Sequence, residues 1–160
     1  MTDPAHLECD VEFFWVQKKI HWADCDAAGI AWFANYFRWF EDAEEELYAA
    51  ILGQTRQSLL NERCFGMPRV EAATTYRAPV KPGQTIRIGI VSTLENPRRL
   101  RHRFEMRDER SVLVAEGFVR VACVDLQTFR PRDFPDEVLQ MVREQSGAAA
   151  RQDDRQLPWV

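Results

Sequence analysis

The chain contains one long amphipathic helix, and its other periodic segments alternate like β-strands. This combination restricts the possible folds more strongly than any other feature of the sequence. Along residues 36–52, apolar side chains recur at spacings of four, three, four and three, at Tyr36, Phe40, Ala43, Leu47 and Ala50, as on the buried face of a helix. Asn35 is predicted to cap the start of this helix, and Gly53 to end it. A sheet that covers one helix satisfies both periodicities, so the sequence predicts an α+β fold.

Five segments have the composition and the alternation of β-strands: residues 12–22, 68–77, 85–95, 100–107 and 112–125. Three short connections with turn-forming residues join the last four, at residues 79–83, 96–99 and 108–111. Connections of this length favour antiparallel hairpins. We therefore expect a curved antiparallel sheet of about five strands wrapped around the helix, in the order β-α-β-β-β-β.

Length and composition indicate one domain. The chain has 160 residues, of which 46% are hydrophobic, and this is enough for a single core. We expect the domain to occupy residues 1–145, with a short terminal helix at 135–143 and a mobile tail at 146–160. Residues 54–66 fit either a second helix or a loop.

The charge balance and the cysteines exclude several classes of protein. A formal net charge of -4 does not provide the basic surface typical of nucleic-acid binding. The sequence shows no signal-peptide pattern at its start and no apolar run near the ~18 residues of a membrane span. The cysteines form no Cys-x-x-Cys pair, which argues against a disulfide framework and a zinc site. We therefore expect a soluble cytoplasmic protein without a metal site.

Residues 24–36 place two carboxylates and a glycine directly before the helix. Asp24, Asp26 and Gly29 lie between the first strand and the predicted cap Asn35. The first N–H groups of a helix have no partner within the helix, and the helix dipole is positive there, so this region can polarise a carbonyl group. The other interpretation is a turn whose carboxylates accept backbone hydrogen bonds. A calcium loop is disfavoured because Ala28 and Trp32 stand at its fifth and ninth positions, where oxygen ligands are needed, and its twelfth position is not a glutamate.

The run Asp-Cys-Asp-Ala-Ala-Gly-Ile-Ala-Trp-Phe-Ala-Asn-Tyr-Phe-Arg-Trp-Phe at residues 24–40, together with the element order, resembles the hot dog fold thioesterases. More narrowly, it resembles the 4-hydroxybenzoyl-CoA thioesterase family, which has a similar Asp-x-Asp-x-x-Gly signature, followed by Asn-Tyr, between the first strand and the central helix. The resemblance extends more weakly over residues 12–135, including the run at 77–83. It implies hydrolysis of an acyl-CoA thioester, in which CoA is part of the substrate and no separate cofactor is needed.

The resemblance also implies roles for single residues. Asp26 matches the catalytic aspartate, which acts in this family as a nucleophile or as a general base. The backbone N–H of Phe33 matches the donor that binds the thioester carbonyl, and Gly29 lets the chain turn closely between the two. One branch of the family has a histidine where Phe33 stands, and the role of that side chain cannot operate here. Trp32 and Phe33 make the mouth of the site apolar, which favours an aromatic or bulky acyl group.

Coenzyme A carries phosphates, so a basic cluster is expected near the acyl site. The segment 98–103 is rich in arginine. Alternation places Arg101 and Arg103 on the face opposite Leu100, so only some of the arginines in this segment can point at one ligand. We expect Arg98 and Arg99 to bind phosphate first. Arg130 and Arg132 match positions at which family members carry basic residues toward the nucleotide.

Two alternatives to a thioesterase stay open at this point. The same fold could serve a non-catalytic protein that binds an acyl-CoA or an acyl carrier, or an enoyl-CoA hydratase that uses His21 with Asp26. The second face of the first strand is too mixed in character for solvent alone. We therefore expect a homodimer or a homotetramer.

Overall fold

The computed structural model describes residues 13–149 and 155–156, with side chains described for residues 13–145. The strands are β1 (Phe14–Lys19), β2 (Phe65–Gly66), β3 (Arg69–Tyr76), β4 (Thr85–Asn96), β5 (Arg99–Arg107), β6 (Leu113–Ala122), β7 (Val124–Asp125) and β8 (Arg155–Gln156). The helices are α1 (Asn35–Leu52), α2 (Arg56–Arg63) and α3 (Asp136–Ala149). The predicted β-α-β-β-β-β order is present, and the α+β class is confirmed.

The main sheet has the strand order β3-β6-β5-β4-β1-β8. Its neighbouring strands are antiparallel, except that the two-residue β8 pairs with β1 in parallel. β2 and β7 form a separate two-stranded ribbon. Without β8, the main sheet is the five-stranded antiparallel sheet that the alternation predicted.

The connection at residues 79–83 is not the predicted hairpin. β4 pairs with β1 on one side and with β5 on the other, so neither side of β4 is free for β3. β3 instead pairs with β6 at the far edge of the sheet, and the connection crosses the end of the sheet. It reaches β1 there, where the Gly83 N–H donates to the Ile20 carbonyl at 2.8 Å. The connections at 96–99 and 108–111 are hairpins, as predicted.

The first strand ends earlier than predicted. β1 stops at Lys19, and the chain then forms a 3-10 turn over Trp22–Asp24. Trp22 is 81% exposed as a result, and does not join the buried face of the strand. Lys18 does lie on that buried face, and its ammonium is 3.9 Å from Asp24 Oδ2. The predicted start of this strand, residue 12, lies outside the described residues.

Helix α1 supplies the central layer of the core. The ring of Phe40 stacks on Phe104 of β5, with ring centroids 4.3 Å apart. Each apolar side chain that is fully buried in this way contributes about 1.5–3 kcal/mol to folding. The other fully buried apolar side chains of α1 are Trp39, Ala43, Leu47 and Tyr48.

The two ends of α1 differ in how well the sequence predicted them. Gly53 ends the helix as predicted, in the left-handed conformation with φ of 66°. Asn35 is not the cap, because Ala34 occupies that position and Asn35 is the first helical residue. The side-chain amide of Asn35 donates to the Asp24 carbonyl at 2.8 Å instead, and so ties the helix to the preceding loop.

The later helices close the core. Residues 54–66 contain α2, and α3 continues to Ala149, past the predicted end at 143 and the predicted start of the tail at 146. Gln145 anchors α3, since its amide donates to the Ile90 carbonyl at 2.6 Å and accepts from the Ser92 N–H at 2.8 Å. Residues 155–156 pair with β1, and the rest of the predicted tail lies outside the described residues. None of the described helices is long and apolar enough to cross a membrane.

A buried ionic cluster lies between α1 and the sheet. Glu44 is 2.7 Å from Arg69 Nη2, 3.1 Å from Arg56 Nη1 and 3.6 Å from His102 Nε2. The other ring nitrogen of His102 lies 2.8 Å from the Ser92 hydroxyl. Glu44 and His102 are buried, so the arrangement places an ionised carboxylate inside the core next to two guanidinium groups.

Candidate active site

Residues 25–31 form a tight loop between the 3-10 turn and α1. Cys25 and Ala31 form an isolated antiparallel bridge, and inside it the Asp26 N–H donates to the Ile30 carbonyl at 2.9 Å. Gly29 has φ of 75°, and a Cβ added there would have nothing within 4 Å. The position therefore needs glycine for its backbone conformation and not for lack of space.

Asp26 presents one carboxylate oxygen that the fold does not use. Oδ1 accepts a hydrogen bond from the Ala28 N–H at 2.8 Å, in an Asx turn that orients the carboxylate. Oδ2 has no hydrogen-bond or ion-pair partner among residues 13–145. The turn interpretation of this carboxylate and the catalytic one are therefore compatible, because one oxygen holds the loop and the other is available for chemistry.

Phe33 lies in the turn directly before α1, and its backbone N–H has no acceptor among the described residues. Its carbonyl accepts a hydrogen bond from the Tyr76 hydroxyl at 2.9 Å. The Tyr76 ring in turn packs edge-on against Tyr36, with centroids 4.8 Å apart. These contacts fix the peptide group next to the free N–H. A carbonyl oxygen placed at this N–H would also lie at the positive end of α1.

An open cavity of about 410 Å³ brings Asp26 and Phe33 together. Trp32 does not line it but packs edge-on against Phe33, with centroids 5.8 Å apart. Sequence reasoning missed Tyr76, because a tyrosine at the end of a strand is an ordinary strand residue, and its only signal is its place beside the 77–83 run. The lining is mostly apolar and consists of Asp26, Ile30, Ala31, Phe33, Tyr36, Tyr76, Arg77, Ala78 and Pro79.

The side chains next to Asp26 keep their protons near neutral pH. Burial, together with Tyr76 and Cys25, raises the pKa of Tyr36 to about 12, and burial also raises the pKa of Tyr76. Burial and the carboxylates of Asp24 and Asp26 raise the pKa of the Cys25 thiol. Cys25 is therefore not a ready thiolate nucleophile.

Residues 20–142 match the family model of the thioesterase-like superfamily. The chain belongs to this superfamily. Acyl-CoA thioesterase YbgC from Haemophilus influenzae is 33% identical over 122 residues, which cover 75% of this chain and 87% of that protein. The 1,4-dihydroxy-2-naphthoyl-CoA hydrolase of Thermosynechococcus vestitus is 33% identical over 112 residues, 69% of this chain and 70% of that protein.

The fold of this superfamily member also resembles solved thioesterase structures. The structure of Slr0204, a 1,4-dihydroxy-2-naphthoyl-CoA thioesterase from Synechocystis, superimposes with a TM-score of 0.78 at 20% identity, covering 82% of this chain and 96% of that one. The hot dog fold and the family resemblance predicted from residues 24–40 are confirmed.

Asp24 has a structural role in this superfamily member. Its Oδ1 lies 3.0 Å from Arg38 Nη2, and its Oδ2 accepts the His21 N–H at 2.9 Å. Its backbone carbonyl accepts the Trp32 N–H at 2.9 Å. The buried carboxylate thus joins β1, the loop and α1, and both of its oxygens have partners.

His21 gives the hydratase alternative no support. The residue is exposed, and within residues 13–145 no hydrogen bond or ion pair joins it to Asp26. A general acid or base must reach its partner or the substrate within hydrogen-bonding distance. Asp26 therefore shares its cavity with Phe33 and not with His21.

The predicted phosphate-binding arginines lie at the other end of the sheet. Tyr76, which lines the Asp26 cavity, pairs with Ala115 of β6, and Ala115 pairs with Met106 of β5. Met106 therefore lies at the Asp26 end of β5. Arg99 lies seven positions earlier on β5, which at ~3.3 Å per residue separates it from the Asp26 end by roughly 23 Å. Arg98 lies next to it and pairs with Asp133 at 2.7 Å.

The other two predicted arginines lie at the same end. The Arg132 N–H donates to the Cys123 carbonyl at 3.1 Å, and the Cys123 N–H donates to the Arg98 carbonyl at 2.9 Å. Arg130 follows β7 beside them. The fold thus brings the four arginines together at the end of the sheet away from Asp26.

Proposed function

We propose that this chain is an acyl-CoA thioesterase that hydrolyses the CoA ester of an aromatic or bulky acid at Asp26 and the Phe33 N–H. The observation that carries the proposal is a carboxylate with a free oxygen and a free backbone N–H at a helix start, both lining one apolar cavity. The activities named for the relatives YbgC and the naphthoyl-CoA hydrolase support it. CoA enters as part of the substrate, no further cofactor is proposed, and we place the reaction in the cytoplasm.

In the proposed reaction the Phe33 N–H binds the thioester oxygen, on which negative charge develops, and such a donor contributes about 3 kcal/mol. Asp26 acts by one of two routes. As a nucleophile it attacks the carbonyl carbon, expels the CoA thiolate and leaves a mixed anhydride that water hydrolyses. As a general base it takes a proton from a water that attacks the carbon directly. Both routes release the free acid and CoA and regenerate the carboxylate.

The proposed enzyme is a dimer joined through β3. β3 is an edge strand whose two faces are both largely exposed, and such an edge is a template for pairing with another strand. A two-fold axis through β3 pairs it with its own copy in antiparallel orientation. The Arg69 end of one β3 then lies beside the Tyr76 end of the other. This arrangement would bring the arginines of one protomer to the Asp26 cavity of its partner. A tetramer of two such dimers is compatible with it.

Release of free thiol from a panel of CoA esters tests the activity. We expect benzoyl, hydroxybenzoyl and phenylacetyl esters to be hydrolysed faster than short aliphatic ones, because the cavity is lined mainly by apolar and aromatic side chains. Saturable binding of all esters without thiol release would contradict the enzyme and support a non-catalytic binding protein. A preference for short aliphatic esters would contradict only the choice of acyl group.

Proline substitutions at two neighbouring positions in the middle of β3 test the dimer. Backbone groups of successive strand residues point to opposite edges, so of Ala72 and Ala73 one faces β6 and the other faces the open edge. We expect one of the variants Ala72→Pro and Ala73→Pro to destabilise the fold, and the other to yield folded monomers that hydrolyse CoA esters poorly. Light scattering after size exclusion gives the mass, and melting gives the stability. A monomeric wild-type chain, or two folded dimeric variants, would contradict pairing through β3.

A further inference from the structure

Residues 125–130 form a loop that presents an aromatic ring from a strained backbone. Phe129 has φ of 55°, a left-handed conformation in which the Cβ of a bulky L-residue crowds the following carbonyl. Glycine would adopt this conformation without strain. The ring is 73% exposed, and it makes no ring stacking or cation contact with residues 13–145. The fold therefore gains nothing evident from a phenyl ring at this position.

The loop holds this conformation through one carboxylate. Asp125 Oδ1 accepts hydrogen bonds from the Gln127 N–H at 2.9 Å, the Thr128 N–H at 2.8 Å and the Thr128 hydroxyl at 3.1 Å. The Phe129 N–H donates to the Asp125 carbonyl at 2.8 Å. The hydrogen bonds from Thr128 are the main reason that the pKa of Asp125 is lowered, so the carboxylate stays ionised near neutral pH. The ring is thus presented from a fixed position.

Two arginines at this end of the sheet have no counter-ion within the described part of the chain. Arg130 and Arg99 have no ion-pair partner among the side chains of residues 13–145, and both are exposed. Arg132 donates to the Arg63 carbonyl at 3.2 Å and lies 4.0 Å from Asp125. A flat exposed ring at the same end of the sheet as unpaired guanidinium groups matches a planar base that is joined to phosphates, because bases stack on aromatic rings and guanidinium binds phosphate oxygens.

We infer that Phe129 stacks on the adenine of the CoA moiety, while Arg130 and Arg99 bind its phosphates. The inference rests on the proposed thioesterase function, which supplies CoA as the ligand. The loop follows the strand that pairs with β2, and the Leu126 N–H donates to the Cys64 carbonyl at 3.2 Å, so the loop lies just before the start of β3. In the proposed dimer this position is beside the Tyr76 end of the partner's β3. The ring of one protomer would then hold the nucleotide of the substrate that reacts at Asp26 of the other.

The test compares a full CoA thioester with the pantetheine thioester of the same acid, which lacks the nucleotide. We expect Phe129→Ala to raise KM for the CoA ester about tenfold, as for the loss of one base stack, and to leave KM for the pantetheine ester and both kcat values unchanged. Phe129→Trp should restore the KM for the CoA ester. Gln127→Ala is the matched control, since only the backbone of Gln127 takes part in the loop contacts, and it should behave like wild type.

Direct binding separates this inference from the proposed function. Adenosine 3′,5′-bisphosphate should bind to the wild-type protein and about tenfold more weakly to Phe129→Ala. Equal binding to both proteins, or an equal KM change for the CoA and pantetheine esters, would overturn the inference. If wild type hydrolyses neither ester, the proposed function fails, and the bisphosphate measurement still decides the role of Phe129.

The strain at Phe129 provides an independent measurement. Phe129→Gly should relieve the left-handed strain and raise Tm by about 2 to 4 °C, while it weakens CoA-ester binding as much as Phe129→Ala does. A gain in stability with a loss in affinity is the signature of a residue kept for its ligand. Phe129→Ala removes the ring without the added chain freedom of glycine, so a fall in the Tm of Phe129→Ala would show that the ring supports the fold and would overturn the inference.

Discussion

Asp26→Asn is expected to lower kcat for thioester hydrolysis by about 10²- to 10⁴-fold. The amide has the shape of the carboxylate, and its oxygen can still accept the Ala28 N–H hydrogen bond of 2.8 Å that holds the loop. It cannot accept a proton from water or attack the thioester carbon efficiently. Because the Phe33 N–H and the apolar lining remain, KM should change little. Thiol release gives kcat and KM, and melting confirms that the variant is folded.

Asp24→Asn is the matched control, since the same substitution two residues earlier removes a carboxylate with a structural role. Asp24 pairs with Arg38 at 3.0 Å and with Lys18 at 3.9 Å, so this variant should melt at a lower temperature and retain its kcat. Full activity in Asp26→Asn would remove Asp26 from the mechanism. A folded Asp24→Asn variant without activity would move the reactive role to Asp24.

Labelled water identifies the nucleophilic route when the label is found on Asp26 after one turnover. In a single turnover the nucleophilic route incorporates oxygen from the Asp26 carboxylate into the acid when water opens the anhydride at the carboxylate carbon, and the label then remains on the protein. The general-base route puts the label directly into the released acid. The geometry of the cavity is compatible with both routes, because the free oxygen of Asp26 suits nucleophilic attack as well as proton transfer.

Local periodicity predicted the parts of this fold that local energetics decide. The alternation in β4, β5 and β6 and the apolar stripe of α1 were identified correctly because each element has one face against the same core. The partner of β3 was predicted wrongly, because the short loop alone favoured a hairpin with β4. In the structure β1 and β5 occupy both edges of β4, so β3 pairs elsewhere. The pairing of β1 with β4 joins strands that are far apart in the sequence, so no local pattern predicts it.

In the candidate site, too, the features that are local in sequence were predicted and the long-range contacts were not. The resemblance of residues 24–40 to the thioesterase signature indicated Asp26 and Phe33, because the glycine turn, the carboxylate and the helix start of that signature are consecutive in sequence. The contact of the Tyr76 hydroxyl with the Phe33 carbonyl spans 43 positions, and its residue types carry no signal of it. The arginines were identified as a group, but their separation from Asp26 depends on strand direction across the whole sheet.

Glu44→Ala is expected to lower the free energy of unfolding by about 1 to 3 kcal/mol, because Arg56 and Arg69 lose a charged hydrogen-bond partner inside the core. The loss stays in this range because Arg56 keeps two other carboxylates within 2.7 Å. Burial by itself raises the pKa of Glu44, but His102, Arg69 and Arg56 lower it more, so the pKa lies below its ordinary value. Burial lowers the pKa of His102, which makes its imidazole neutral near neutral pH. The two arginines, at 2.7 and 3.1 Å, are therefore the charges that keep Glu44 ionised.

Denaturant unfolding measures this loss, and Glu46→Ala is its matched control. Glu46 lies on the same helix, is only half-buried and has no ion-pair partner among residues 13–145. Its replacement by alanine should change stability by less than ~0.5 kcal/mol. A Glu44→Ala variant as stable as the Glu46→Ala variant would show that the buried cluster contributes nothing net to folding.

The same cluster should make the wild-type protein lose stability in acid. Because the pKa of His102 is lowered on folding, the unfolded chain takes up a proton at this residue as the pH falls through about 6.5, and the folded chain does not. The free energy of unfolding therefore falls with pH. Glu44, whose pKa is also lowered, adds a loss of the same sign once the pH falls below its ordinary value of about 4.3. His102→Gln should flatten the decline of Tm between about pH 7 and about pH 5. A wild-type Tm that stays level over this range would contradict a neutral buried His102.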